Sequence, residues 1–99
     1  MMNIIKKQRD GILTIALEGR MDISTAPKLE TEIKNSLDGV TELILDLEKL
    51  VYISSAGLRV LLYAQKKMNK QGSMKLLHVS KMLMEVFETM GLADIMTFE

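Results

Sequence analysis

Two adjacent serines, Ser54 and Ser55, stand where the apolar run "LVYI" gives way to the helix-like "SAGLRVLL". A hydroxyl at the start of a helix can do two things. Its oxygen can accept a backbone N–H of the first turn, an N-cap worth about 1 kcal/mol relative to alanine. Alternatively it can receive a phosphoryl group, because the free N–H groups and the positive end of the helix dipole stabilise the charge that arrives. Ala56 and Gly57 follow and would leave the approach clear for another protein. The residues by themselves leave both readings open. Hydrolytic chemistry asks for more, namely a serine beside a base that a third group orients. The one histidine, His78, falls inside an expected strand without an evident partner, so a structural role is expected of it. The carboxylates Asp22, Asp46, Glu48 and Asp94 are scattered over different element ends, and no spacing announces a metal site or an acid–base pair. Neither of the glycine patterns that cradle phosphates is present. No catalytic residue, metal or cofactor is expected, and the chain does not read as an enzyme.

The elements that must position the serines follow from periodicity. "GILTIALEG" alternates, with Leu13, Ile15 and Leu17 on one side and Ile12, Thr14, Ala16 and Glu18 on the other, as a strand does. "NIIKKQR" before it reads as a hairpin partner, joined through Asp10-Gly11 in a two-residue turn. Ala26, Leu29, Ile33 and Leu37 recur at spacings of three and four, which predicts a helix from Thr25 to Leu37 with Pro27 tolerated near its start. "TELILDL" predicts a central strand, and "EKLVYI" leads from it to the serines. Leu58, Leu61, Leu62 and Gln65 mark a second helix whose basic end, Lys66, Lys67 and Lys70, suits the C-terminal dipole and precedes Gly72. "SMKLLHV" predicts a strand, and Met82, Leu83, Val86, Phe87 and Met90 an amphipathic helix closed by Gly91. "IMTF" predicts a last short strand. The fold class is therefore α/β, a single domain over residues 1–99 with a mixed β-sheet and helices packed mainly on one face.

Composition narrows the function classes. Thirteen basic residues balance thirteen acidic ones, so no field gathers nucleic acid or anionic lipid, and no nucleic-acid partner is expected. The absence of cysteine removes disulfides, thiolate zinc sites and cysteine nucleophiles, as suits a reducing cytoplasm. No apolar run approaches the roughly 20 residues of a membrane span, and "MMNIIKKQRDG" carries no targeting pattern, so no membrane insertion is expected. Nine methionines suit an adaptable core or a soft contact surface.

The segments "GRMDISTAPKLE", "LILDLEKLVYISSAGLRVLL" and "MEVFETMGLADIMTFE" are similar to those of the bacterial anti-sigma factor antagonists, single-domain members of the STAS family. The resemblance runs from about Ile5 to Phe98 and is most specific at "G-x-x-D-x-x-T-A" together with "S-A-G-L". It implies a small mixed sheet with helices packed against it. It also implies a protein that binds an anti-sigma factor with serine kinase activity, frees a sigma factor, and is switched by that kinase and reset by a PP2C-type phosphatase. Carried over by position, the phosphoacceptor is Ser55, with Ser54 the alternative. Asp22 matches the acidic loop residue beside the site and Gly57 the family's glycine. Two positions depart from the pattern: Ser54 stands where many phosphorylated members have aspartate, and Ala56 where many have a second hydroxyl. The partner-binding surface implied comprises Met21, Asp22, Ile23, Tyr52, Ser54, Ser55, Ala56 and Gly57, with Met21, Ile23 and Tyr52 supplying apolar contact. The alternative is a constitutive STAS scaffold in a signalling or transport complex, where Ser55 serves only as a cap. The sequence assigns neither the particular anti-sigma factor nor an oligomeric state.

Overall fold

Asp10 and Gly11 both take positive φ, 50° and 84°, which is what a two-residue turn matched to strand twist demands. They join β1 (Met2–Arg9) to β2 (Ile12–Met21) in an antiparallel hairpin with Arg9 opposite Ile12. The computed structural model describes all residues, 1–99. After the hairpin come α1 (Ala26–Ser36), β3 (Glu42–Ile53), α2 (Ser55–Asn69), β4 (Ser73–Leu77), α3 (Lys81–Thr89) and β5 (Thr97–Phe98). The five strands lie in the order β1-β2-β3-β4-β5, and every pairing after the hairpin is parallel, each crossover being made by one helix.

Period-two alternation decides which side of the sheet the helices cover. Leu13, Ile15 and Leu17 of β2, Leu43, Leu45 and Leu47 of β3, and Met74 and Leu76 of β4 are buried. They form one cluster with Leu29 and Ile33 of α1, Leu58, Leu61 and Ala64 of α2, and Leu83 and Phe87 of α3. Thr14, Ala16, Ile44, Asp46, Lys75 and Leu77, on the opposite face, stay partly open to solvent. The helices thus pack on one face, as the pattern requires. No helix is long and apolar enough to cross a membrane.

Three local expectations change. β3 does not stop near Leu47 but continues through "EKLVYI" to Ile53, with register shifts against β2 at Ala16/Glu18 and Gly19/Arg20. These irregularities turn the strand so that Leu47, Leu50 and Ile53 all face the core at a spacing of three, which hides the strand from a period-two reading. β4 ends at Leu77, and His78 leaves the sheet with φ 57° rather than lying within a strand. Met82 and Met90 are exposed, 61% and 54%, because the nine-residue α3 reaches the core only through Leu83 and Phe87, with Val86 packed at the margin. Gly91 closes that helix as expected. With φ 74°, it lets its own N–H reach Glu88 O (3.1 Å) and the Leu92 N–H reach Phe87 O (2.8 Å), the paired bonds of a Schellman C-cap.

Candidate functional site

The parallel pairing of β2 with β3 runs to the end of both strands, where Arg20 lies opposite Tyr52 and Met21 opposite Ile53. The Ser54 N–H then donates to the Met21 carbonyl (2.8 Å), so the loop after β2 and the entry to α2 leave the sheet side by side. Ser54 is extended (φ −96°, ψ 174°), and its Oγ accepts the Gly57 N–H at 3.3 Å. Its carbonyl accepts the Leu58 N–H at 2.9 Å, the first bond of the helix. Ser54 is therefore the N-cap. Ser55, the first helical residue, is exposed, and its hydroxyl enters none of the side-chain hydrogen bonds. The geometry separates two hydroxyls that the residue types alone left equivalent: one is committed to the fold, the other is presented to solvent at a helix N-terminus.

Asp22 braces the neighbouring loop. Its Oδ1 accepts the Ser24 N–H (2.9 Å), the Ser24 hydroxyl (2.7 Å) and the Thr25 N–H (3.1 Å). Thr25, the buried residue before α1, accepts the Asp22 N–H (2.8 Å) on Oγ1 and donates that hydroxyl to the Arg20 carbonyl (2.8 Å). The Ser24 hydroxyl first, then the Ser24 and Thr25 amides, hold the Asp22 carboxyl down at about 2 against the opposing effect of desolvation. Asp22 is thus a fixed anion at the strand end adjoining the Ser54–Ser55 junction.

The surface around Ser55 differs in part from the one expected. Met21 is fully buried and Gly57 is buried, so neither presents apolar surface to a partner. A Cβ on Gly57 would stand 2.9 Å from Ile53 Cγ1 and from Met21 Cγ and Sδ. The glycine lets α2 settle on the strand ends instead of clearing an outer approach. Ile23, 81% exposed, and Tyr52, 40% exposed, do face outward, and the Arg20 guanidinium lies 4.3 Å from the centre of the Tyr52 ring. Ala56 joins Ile23, Pro27, Arg59, Val60 and Tyr63 along a groove of about 310 Å³ between α1 and α2. Arg59 and Tyr63 escaped the sequence reading, although their signal was present: Ser55, Arg59 and Tyr63 are four residues apart and share one face of α2.

His78 has a partner after all. Its Nδ1 lies 2.9 Å from Asp46 Oδ1. That pair offers no base to Ser55, because Asp46 precedes Ile53 by seven positions on β3, roughly 20 Å at the rise of a strand. Asp94 is exposed in the segment between α3 and β5 and enters none of the side-chain hydrogen bonds or ion pairs.

Residues 3–99 match the family model described as STAS domain. BtrV of Bordetella bronchiseptica, named as an anti-sigma factor antagonist, is 38% identical over 96 residues, which cover 95% of this chain and 83% of that one. An anti-sigma factor antagonist from Mycobacterium paratuberculosis has a similar structure, with a TM-score of 0.89 and 22% identity, covering 99% of this chain and 85% of its own. The phosphorylated form of the Bacillus cell fate determinant SpoIIAA superimposes with a TM-score of 0.78 at 22% identity, covering 98% of this chain and 91% of its own.

Proposed function

Because the chain belongs to the STAS domain family, we propose that it is an anti-sigma factor antagonist, a cytoplasmic binding protein without catalysis of its own, switched by phosphorylation of Ser55. Unphosphorylated, it engages an anti-sigma factor with serine kinase activity and frees a sigma factor; the kinase modifies Ser55 and a PP2C-type phosphatase reverses the change. The observation that carries this reading is the division of labour at α2, where Ser54 caps the helix and leaves the exposed Ser55 hydroxyl without an intramolecular task. The exposed Ile23 and the groove lined by Ala56, Arg59, Tyr63 and Glu30 supply a mixed apolar and charged rim of the kind interfaces favour.

A phosphate on Ser55 brings about −1.5 to −2 charge. The helix start tolerates it internally, since free amides and the dipole face it. Its cost falls on the interface, where a partner must desolvate it beside the loop that Asp22 braces, which Ser54 joins through the Met21 carbonyl. Incubation with the cognate kinase and ATP, followed by phosphosite mapping and binding measurements, tests the reading. The expected results are phosphate on Ser55, binding retained without phosphorylation in Ser55→Ala, and binding weakened about a hundredfold or more in Ser55→Asp. Phosphate on Ser54 instead would move the switch to the capping residue. An unmodified protein whose Ser55→Asp variant binds as the wild type would mark a constitutive scaffold, since aspartate is also a good residue at a helix start.

A further inference from the structure

On the open face of the sheet, remote from Ser55, Asp46, Glu48 and His78 bring one ligating atom each to within 4.8 Å of one another. Asp46 and Glu48 lie two apart on β3, and His78 reaches them from the end of β4 because Leu77 is paired with Asp46. The 2.9 Å between His78 Nδ1 and Asp46 Oδ1 matches the edge of a metal coordination shell. Two donors about 2.0–2.1 Å from one ion, at right angles or slightly wider, stand roughly 2.9–3.3 Å apart. Beside them opens a cleft of about 220 Å³ lined by Glu18, Asp46, Glu48 and Lys49. Its three carboxylates outnumber its one ammonium, which stands 3.6 Å from the Glu18 carboxylate. A dication there would find anionic oxygen donors on two sides of the imidazole.

We propose that Asp46, Glu48 and His78 form a binding site for a borderline divalent cation of the Zn²⁺ type, with a fourth coordination position open to solvent. The donor set selects the class: imidazole with two carboxylates suits zinc and its neighbours, whereas magnesium and calcium take oxygen ligands only. Two of the donors already stand at ligand spacing, so binding replaces the His78–Asp46 hydrogen bond with two bonds to the ion and brings the exposed Glu48 carboxylate in from within 4.8 Å.

Calorimetric titration of the full chain with zinc chloride near pH 7.5, read alongside amide NMR shifts, tests the site. The expected outcome is one saturable event, with shifts centred on Asp46, Glu48 and His78. His78→Gln and Asp46→Asn should each weaken it at least about tenfold, the scale on which lost metal-site contacts act, while Asp94→Asn, an exposed carboxylate elsewhere, should leave it unchanged. Because the NMR readout is on the wild-type chain, it does not depend on any variant folding. Lowering the pH to about 5.5 should also weaken binding, since the ligating imidazole must lose its proton beside the two carboxylates that act on it, Asp46 and Glu48. Absence of saturation up to about 1 mM, unchanged binding in His78→Gln, or shifts centred on other residues would each overturn the proposal.

Discussion

Ser54 and Ser55 are one position apart, yet only the first has its oxygen on a helix amide. Ser54→Ala should therefore lower the unfolding free energy by about 1 kcal/mol, whereas Ser55→Ala should stay within about 0.5 kcal/mol of the wild type; urea denaturation followed by far-UV circular dichroism distinguishes the two. Asp22 gives a pH signature. Its carboxyl, held at about 2 by Ser24 and Thr25, lies below the ordinary value of 3.8. The unfolded chain thus binds that proton more tightly, so the contribution is complete above the ordinary value and disappears as pH falls through about 2. Carbon NMR of the Asp22 carboxyl should show that low midpoint, and Ser24→Ala should raise it. At this scale the sequence located the pair of serines at a helix start but could not assign the cap, which depends on the extended backbone at Ser54. Nor could it show that Asp22 braces a loop, because its partners' orientation is a property of the folded turn.

Two glycines set how closely α2 approaches its neighbours. At Gly57 an added Cβ meets Ile53 and Met21 side-chain atoms at 2.9 Å, while at Gly72 it meets the Thr41 carbonyl oxygen at 1.9 Å. Side chains can shift and a strand-end carbonyl cannot do so without disturbing the β3–β4 start, where the Ser73 N–H donates to that same oxygen (3.0 Å). Gly57→Ala should cost about 1–2 kcal/mol, crowding of about 1–3 kcal/mol being offset in part by the helix preference of alanine. Gly72→Ala should cost more, and the order of the two denaturation midpoints checks the argument. Element types were legible because long stretches keep one period: two in β2, three and four in α1 and α2. The second half of β3 was not, since its bulged pairing carries the core positions from a spacing of two to a spacing of three. Met82 and Met90 misled for the opposite reason, matching a helical stripe on a helix too short to bury all of it.

At the scale of the molecule, contacts between residues distant in sequence carry what no local pattern could. His78 and Asp46 are 32 residues apart and meet across β3 and β4. The hydrogen bond to Asp46 and that carboxylate's charge raise the His78 pKa above its ordinary 6.5, against desolvation and with help from the Glu48 charge. Partial burial pushes the Asp46 carboxyl up, but the His78 and Glu48 hydrogen bonds and the nearby charges of His78 and Lys49 hold it below its ordinary value. A raised imidazole stabilises the fold fully below 6.5 and loses that contribution as pH climbs through its folded value. In metal-free buffer, proton NMR of His78 should give a midpoint above 6.5, and Asp46→Asn should bring it back down. The sequence by itself determined the order of strands and helices, the one-sided core and the position of the serines at the start of α2, because periodicity and turn residues act within a few positions. Only the tertiary structure decided which serine is free, that Met21 and Gly57 face inward, and that His78 finds Asp46. Those outcomes depend on strand register and on the close approach of α2 to the ends of β2 and β3, which residues far apart in the chain establish together.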